Sequence, residues 1–317
     1  MNARNIFALL AATIICFGLV NPTLAKEVVQ KAILVTGASS GIGRNIAESL
    51  AAQGHFVYAG ARKKSDLNEL NAIENVMGVR LDVTKQEDID AVVKLISKEG
   101  RGLYALINNA GVASAGPLTK TTDSDLHFVF NVNVAGVLRV TRAFAPMIIE
   151  SQGRIVTTGS IAGIHSRATN GVYSMSKHAM EAFADSLAAE LEPQGVSVSI
   201  LEPGPYKTKI WSTTTDRVMK NMEAAGITPS KEQKKIIEDV AARVPTMKEP
   251  HEVSEAVVHA LFSNEPQRRY MVVPEERYAE VTIRKALEEL VQLNQWGPYS
   301  YSRDELVKML DEVLAEL

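Results

Sequence analysis

From Lys31 onward, short runs of apolar residues alternate with longer stretches in which apolar residues recur every three or four positions. The short runs are continuous and do not alternate with polar residues, which is typical of strands covered by helices on both faces of a parallel sheet. The chain is therefore predicted to be an α/β fold with a doubly wound parallel sheet and helices on both faces. Strands are predicted over residues 32–35, 56–59, 77–81, 103–107, 154–158, 196–201 and 270–273, and the clearest helices over 42–52, 86–97, 123–150 and 171–190.

Two segments exceed what such a sheet needs. Residues 206–250 are long and polar and follow a strand end, where open α/β sheets bind their ligands. We interpret them as a lid over the substrate, with a plain surface insertion as the alternative. Residues 275–317 contain two amphipathic helix patterns, the second opened by a capping box of Ser302 and Glu305. Such helices usually pack on their own domain, but they could also form a subunit contact, and we expect a homo-oligomer.

Residues 1–25 form a separate N-terminal segment. Arg4 precedes an uncharged apolar run over residues 6–20, and a small residue precedes Lys26. This layout is typical of a secretory signal peptide, which leaves a main domain of residues 26–274. The stretch is also long enough for a membrane anchor, roughly 31 Å as a helix, and an extension without export function is a third interpretation. We expect a membrane-associated or exported protein, or a cytoplasmic one if the segment is neither cleaved nor inserted.

The composition excludes several classes of function. The 317-residue chain carries 34 lysines and arginines against 37 acidic residues, a net charge of −3. No block of basic residues stands out, so we expect no nucleic-acid partner. Six histidines and one cysteine without ligand-like spacing argue against a metal site. Because Cys16 lies in the N-terminal apolar run, removal of that run would exclude disulfides and cysteine catalysis.

The first predicted strand ends in a glycine-rich turn, T-G-A-S-S-G-I-G over residues 36–43, and a helix follows. Glycines let the backbone turn tightly and approach a pyrophosphate at the positive end of a helix. We interpret the turn as a dinucleotide-binding loop. A purely structural strand–helix turn is the alternative, because the spacing differs from the general G-x-G-x-x-G fingerprint. The candidate contacts are Gly37, Ser39, Ser40, Gly41, Ile42 and Gly43.

The end of the second predicted strand indicates which cofactor the loop would bind. An acidic residue there would accept hydrogen bonds from the ribose 2′-hydroxyl of NAD. This chain has Arg62, Lys63 and Lys64 instead. Because a guanidinium binds phosphate oxygens with two parallel hydrogen bonds, Arg62 favours NADP(H) over NAD(H). An ordinary solvated basic turn is the alternative.

Tyr173 and Lys177 lie four residues apart on a predicted helix and therefore share one of its faces. A free tyrosine has a pKa of about 10, too high for easy proton exchange at neutral pH. A nearby ammonium would lower that pKa, because it favours the phenolate. Ser160 follows the fifth predicted strand, at the carboxyl end of the sheet, where its hydroxyl could hold a substrate oxygen. None of these residues identifies an active site by itself.

Together, these residues resemble the single-domain branch of the short-chain dehydrogenase/reductase family, whose fold is of the Rossmann type. The resemblance covers residues 31–273, and the sequence around Ser160, Tyr173 and Pro203 is also similar to that of steroid and retinol dehydrogenase relatives. The motifs that match in the family's order are Thr36-Gly37-x-x-x-Gly41-Ile42-Gly43, Asp82-Val83, Asn108-Asn109-Ala110-Gly111, Asn133, Ser160, Tyr173-x-x-x-Lys177 and Pro203-Gly204.

The resemblance implies an oxidoreductase that interconverts a hydrophobic alcohol and its ketone or aldehyde, and Arg62 adds NADP(H) as its cofactor. Tyr173 would give its proton to the carbonyl oxygen in reduction and take it back in oxidation. Ser160 would hold that oxygen as charge develops. Lys177 would bind the nicotinamide ribose and lower the pKa of Tyr173. Asn133 would kink its helix and hold a water linked to Lys177.

The resemblance also implies the remaining cofactor contacts. Asp82 would bind the adenine amine. The other implied contacts are Val83, Asn109, Ala110, Gly111, Tyr173, Lys177, Pro203, Gly204 and Thr208. The last departs from the family's pattern, which often places a threonine directly after Pro-Gly to contact the nicotinamide amide. Here residues 205–207 intervene before Thr208.

Two other functions stay open at the level of sequence. A lyase or epimerase of the same fold would keep its nucleotide bound throughout the cycle and consume no NADPH. A non-catalytic nucleotide sensor or scaffold would usually lack the tyrosine or the lysine, and both are present here. The complete set of Asn133, Ser160, Tyr173 and Lys177 favours the oxidoreductase.

Overall fold

The computed structural model describes residues 29–316, so the predicted signal peptide or anchor and Cys16 lie outside the described residues. Residues 29–316 form seven strands, β1 Ala32–Val35, β2 Phe56–Ala61, β3 Val76–Arg80, β4 Ala105–Asn108, β5 Arg154–Thr158, β6 Ser197–Pro203 and β7 Arg269–Val272. The same residues form eleven α-helices, α1 Gly41–Ala52, α2 Lys64–Asn71, α3 Gln86–Glu99, α4 Asp123–Phe130, α5 Val137–Glu150, α6 Gly171–Leu191, α7 Ile210–Ala224, α8 Lys231–Arg243, α9 His251–Phe262, α10 Glu276–Asn294 and α11 Arg303–Glu316. The predicted strand boundaries differ from these by no more than two residues.

The strands form one parallel sheet in the order β3-β2-β1-β4-β5-β6-β7. The chain moves outward from β1 to β3, then returns to the other side of β1 and continues outward to β7. The connections after β1 and β4 therefore diverge, which opens a crevice at the carboxyl ends of these two strands. The predicted doubly wound α/β fold is confirmed.

The core has two halves, one on each face of the sheet. Alternate residues of β1 face opposite sides: Ile33 packs with α1 and α9, and Leu34 packs with α3, α5 and α6. Both side chains are fully buried. Because each strand is covered on both faces, its apolar residues run without interruption, and this explains the sequence pattern.

A single helical rod spans Asp123–Glu150, as predicted, but it is not uniform. A π-helical segment, Asn131–Gly136, separates α4 from α5. Among the described residues, this rod is the one helix long and apolar enough to cross a membrane. However, Val140, Phe144 and Ile148 are fully buried against the sheet, so we interpret it as a core helix.

The predicted lid, residues 206–250, forms α7 and α8 and begins with an anchored residue. Tyr206 is buried in the core, and its hydroxyl donates to Glu252 Oε2 over 2.6 Å. Tyr206 therefore anchors the start of this segment in the core of the domain. Further along, Arg217 on α7 donates to Asp125 Oδ1 on α4 over 2.9 Å. A cavity of about 320 Å³, lined in part by Val112 and Arg217, lies beside this contact. The lid interpretation stays a prediction.

The two C-terminal helices expose their apolar faces. Within the described chain, Thr282 is the one buried residue of α10, and α11 has none. The predicted capping box is present, since Ser302 N–H donates to Glu305 Oε2 over 2.7 Å and Glu305 N–H donates to Ser302 Oγ over 3.4 Å. Leu287 and Leu310 are each 51% exposed. The two helices therefore do not bury these faces on their own domain, and a subunit contact stays a prediction.

Candidate active site

Thr36 joins the carboxyl ends of β1 and β4. Its hydroxyl donates to the carbonyl oxygen of Ile107 over 3.3 Å and accepts from the N–H groups of Asn109 and Ala110 over 2.9 and 3.0 Å. The side-chain amide of Asn109 donates back to the Thr36 carbonyl oxygen over 3.0 Å. Thr36 was not predicted as a site residue, although it opens the glycine motif. It fixes the two walls of the crevice relative to each other.

The glycine turn connects β1 to α1 at this crevice. Gly37 and Gly41 have φ values of 67° and 58°, in the left-handed region that glycine favours. A Cβ at Gly43 would collide with the Asn109 amide and with the Gly37 carbonyl oxygen. Within the described chain, the Ser40 side chain makes no capping hydrogen bond, and the first turn of α1 holds no acidic residue. This helix end therefore suits an anionic group such as a pyrophosphate.

Thr208 lies beside the glycine turn despite the residues that precede it. A Cβ added at Gly41 would lie 3.0 Å from the Cβ of Thr208. The Thr208 hydroxyl is buried and has no hydrogen-bond partner among residues 29–316. An unpaired buried hydroxyl costs free energy unless a ligand pairs with it. The structure thus brings Thr208 to the predicted cofactor site, with an oxygen that fits a polar group of a dinucleotide.

Arg62 and Asp82 lie at the ends of β2 and β3. The Arg62 side chain is 65% exposed, and its Nη1 lies 4.0 Å from Asp82 Oδ2. Burial acts to raise the pKa of Asp82, but hydrogen bonds from Thr84 and the charge of Arg62 outweigh it, so this pKa is lowered. Asp82 is therefore ionised and can accept a hydrogen bond, and Arg62 is accessible to a phosphate. Val83 is buried against Gly136.

Asn133 lies in the π-helical segment and holds two parts of the site together. Its Oδ1 accepts from Val112 N–H, and its Nδ2 donates to the Val112 carbonyl oxygen, both over 2.9 Å. The same Nδ2 donates to Ser176 Oγ over 3.0 Å, and Ser176 in turn donates to the carbonyl oxygen of Tyr173 over 2.7 Å. The helix is π-helical around Asn133, and the kink and the bound water that the resemblance implies stay predictions. Asn133 thus connects the segment that follows β4 to α6, the helix that carries Tyr173.

Lys177 carries an ammonium group into the interior. Only 6% of the residue is exposed, and its Nζ donates to the Thr158 carbonyl oxygen over 2.7 Å. Burial lowers the pKa of Lys177 to about 8, although the Glu181 carboxylate opposes this shift. The ammonium form therefore predominates at neutral pH. A Cβ added at Gly111 would lie 3.9 Å from Nζ, so Gly111 keeps space beside the charge.

Tyr173 and Ser160 complete the predicted catalytic group. Lys177 Nζ lies 5.6 Å from the centre of the Tyr173 ring. Burial raises the pKa of Tyr173, and the Ser160 hydroxyl opposes that shift only in part. Desolvation of the phenol therefore sets the net direction of this pKa, and the lowering effect expected from Lys177 stays a prediction. Tyr173 is a protonated acid at neutral pH.

Strand β6 ends beside this group. Ser160 Oγ lies 3.5 Å from the carbonyl oxygen of Pro203 and accepts from Ala162 N–H over 3.1 Å. Gly204 N–H donates to the Val272 carbonyl oxygen over 2.8 Å, and a Cβ at Gly204 would lie 2.9 Å from Pro274 Cδ. The sheet edge thus combines a proton donor, a hydroxyl and an ammonium beside a helix end suited to phosphate. This arrangement can exchange a proton with a carbonyl or alcohol oxygen next to a bound dinucleotide.

Comparison with known proteins agrees with this arrangement. A sequence profile described as short chain dehydrogenase matches residues 31–218. The uncharacterized oxidoreductase YbbO of Escherichia coli is 35% identical over 251 residues, covering 78% of this chain and 88% of that protein. The NADPH-dependent 3-dehydrocapnine reductase of Ornithobacterium rhinotracheale is 38% identical over 187 residues, covering 56% and 66%. A Burkholderia phymatum short chain dehydrogenase/reductase in complex with NAD has a TM-score of 0.72 at 27% identity, covering 86% and 98%.

The burial of Lys177 is predicted to destabilise the folded protein. Because its pKa is lowered from 10.5 to about 8, below pH 8 the folded state contains a buried ammonium that costs free energy. That penalty fades between those two values as the folded lysine loses its proton first. Lys177→Met should therefore stabilise the protein by about 2 kcal/mol at pH 7, and by less at pH 10. Urea unfolding at the two pH values measures the difference. Lys94→Met, at an exposed lysine, should change stability little, and equal destabilisation by Lys177→Met at both pH values would contradict the account.

Proposed function

The chain belongs to the short-chain dehydrogenase family, and on that premise we propose that it is an NADP(H)-dependent oxidoreductase. As a member, it is an enzyme that acts on CH–OH or C=O groups. The proposed substrates are a hydrophobic alcohol and its ketone or aldehyde. The observation that carries the proposal is the buried ammonium of Lys177 beside Tyr173, at the edge of the crevice that the glycine turn opens.

The chain's own residues would move the proton and hold the substrate oxygen. Tyr173, which is protonated at neutral pH, gives its proton to the carbonyl oxygen in reduction and recovers it in oxidation. The Ser160 hydroxyl donates to that oxygen as negative charge develops. The Lys177 ammonium favours the phenolate that remains after the transfer. A bound nicotinamide supplies or accepts the hydride.

The preference for NADP(H) rests on Arg62. Its exposed guanidinium follows β2, where the adenosine ribose of a dinucleotide would lie. A guanidinium pairs with two phosphate oxygens, which fits the extra phosphate of NADP. One relative is NADPH-dependent by name, whereas the Burkholderia structure was solved with NAD, so the proposal depends on this residue and not on the relatives.

The proposed substrate is hydrophobic because of the residues near the cavity under α7. Val112, Ala113 and Phe128 line its apolar side, and Val112 is the residue that Asn133 binds. Polar and charged residues of α7 line the opposite side, namely Thr213, Asp216, Arg217, Lys220 and Asn221. An apolar wall that faces polar groups fits a molecule with an apolar body and one carbonyl or hydroxyl group. We propose that α7 covers the substrate from this side, held to α4 by Arg217 and Asp125.

Replacement of the proposed acid should slow the reaction strongly. Tyr173→Phe keeps the ring and removes the proton, so kcat for NADPH-dependent reduction should fall by about a hundredfold or more. The measurement is NADPH absorbance with the full-length chain and a panel of aliphatic ketones and aldehydes. Tyr301→Phe, at an exposed tyrosine, is the control. Undiminished turnover in Tyr173→Phe would remove Tyr173 from the reaction.

Removal of the proposed phosphate contact should change the cofactor preference. Arg62→Ala should raise the Kd for NADPH by about 10- to 100-fold, because it deletes charge-assisted hydrogen bonds, and should leave the Kd for NADH nearly unchanged. Fluorescence of the bound reduced nucleotides measures both constants. Arg303→Ala, at an exposed arginine of α11, is the control. Equal effects on the two nucleotides would reject the role of Arg62.

A further inference from the structure

Two buried carboxyl groups lie behind Lys177. Glu181 follows Lys177 by one turn on α6, and Glu202 precedes Pro203 on β6. Their side chains are only 13% and 5% exposed. No step of the proposed reaction uses either group, so their burial needs a separate explanation.

The charge around these carboxyl groups is unbalanced. Arg269 on β7 faces both of them, with its Nε 3.2 Å from Glu181 Oε2 and 3.7 Å from Glu202 Oε1. The same guanidinium also pairs with Asp185 Oδ2 over 2.7 Å. One arginine thus faces three carboxyl groups. Two adjacent buried carboxylates cannot both stay ionised at low cost, and sharing a proton relieves the repulsion.

The hydrogen bonding also requires a proton. The Oε1 atoms of Glu181 and Glu202 are buried and have no hydrogen-bond partner within residues 29–316. Both side chains lie against the same atom, Arg269 Nε, at 3.2 and 3.7 Å, and are therefore neighbours. If one carboxyl is protonated, its O–H donates to the other, and both unpaired oxygens are satisfied at once. A single shared proton therefore accounts for this geometry.

Three segments of the site meet at the pair. Glu181 shares α6 with Lys177, and Glu202 directly precedes Pro203. A Cβ added at Gly163, three residues after Ser160, would lie 2.8 Å from Glu181 Oε1. The carboxyl pair thus contacts the loop after β5, the helix that carries the lysine, and the end of β6.

We propose that Glu181 and Glu202 are positioning residues that share one buried proton, hold these three segments together, and keep Lys177 charged by releasing that proton as the pH rises. The proposal rests on the proposed function, because carbonyl reduction supplies one of its readouts. The role proposed for the two residues is exerted through Lys177 and not on the substrate or the nucleotide.

The pKa directions of Glu202, Glu181 and Lys177 support the proposal that the pair releases its proton before Lys177 loses its own. Burial, then Glu181, raises the pKa of Glu202 to about 7. Burial also raises the pKa of Glu181, although Arg269 opposes it. Asp185 from α6 and Arg269 from β7 face the pair, and the charge of Glu181 favours the ammonium of Lys177 on α6. Above pH 7 an ionised Glu202 would add a second negative charge next to Glu181, and that charge would favour the ammonium further as the pH approaches the Lys177 pKa of about 8.

Glu202→Gln tests the proposal, because its amide N–H can donate to Glu181 and imitates the protonated pair at every pH. In the full-length chain, kcat/KM for carbonyl reduction by NADPH should equal that of the unmodified protein at pH 6. Above pH 7, kcat/KM of Glu202→Gln should be lower than that of the unmodified protein, and the alkaline limb of its pH profile should lie about one pH unit lower. Glu190→Gln, at an exposed glutamate of α6, should leave the profile unchanged.

If kcat/KM of Glu202→Gln and of the unmodified protein keep the same ratio at every pH, the proposal is overturned, because a purely structural role would not depend on pH. A second readout does not depend on turnover. In protein labelled with ¹³C at the glutamate carboxyl carbons, one carboxyl should titrate near pH 7 and be absent in Glu202→Gln. Absence of that titration in the unmodified protein would also overturn the proposal. If the titration is present but no carbonyl is reduced, the proposed function fails and the shared proton stands.

Discussion

Lys177 places a positive charge in the interior, where its Nζ donates to the carbonyl oxygen of Thr158 over 2.7 Å. Transfer of an ammonium from water costs several kcal/mol unless it is paired and hydrogen-bonded. The elements that lower this cost are those that build the site. Strand β5 ends at the accepting carbonyl, α6 supplies Glu181, and Asn133 fixes α6 through Ser176. The π-helical segment Asn131–Gly136, which carries Asn133, therefore helps to hold the Lys177 ammonium in the interior.

The sheet topology decides what this charge can act on. The connections that follow β1 and β4 diverge and open the crevice, and Thr36 joins the ends of the two strands. On one side, the start of α1 is free of acidic residues and suits a phosphate. On the other side, Tyr173 keeps its proton because burial raises its pKa. A single edge thus holds an anion-binding end and a proton-donating end, and an alcohol–carbonyl oxidoreductase needs both.

Much of this could be predicted from the sequence, because the strands are buried on both faces and their apolar runs are unbroken. The glycine turn and the Tyr173–Lys177 spacing are local, so residues close in sequence also identified the site. The contacts that the sequence did not predict are distant ones or involve backbone atoms. The partner of Lys177 is a carbonyl oxygen, which any residue at position 158 would provide. Glu181 and Glu202 lie on different elements, and nothing in the local pattern distinguishes them from solvated acids.

Two features depend on burial that no local pattern reveals. The ring of Tyr206, the first residue of the predicted lid, fills the core, and its hydroxyl donates to Glu252. The pKa of Tyr173 is raised because burial desolvates the phenol, and the spacing of Tyr173 and Lys177 does not show that burial. The amphipathic patterns of α10 and α11 correctly indicated helices, but amphipathicity does not specify which surface will cover the apolar face.

We propose above all that this site transfers a hydride between a nicotinamide and a carbonyl carbon. The most direct test supplies the full-length protein with NADPH that carries deuterium at the transferable C4 position, together with a ketone, and analyses the alcohol by mass spectrometry. The account predicts a single deuterium on the carbinol carbon and an equal amount of oxidised cofactor. A product that forms without deuterium, while the nucleotide stays reduced and bound, would contradict the account and point to a lyase or epimerase.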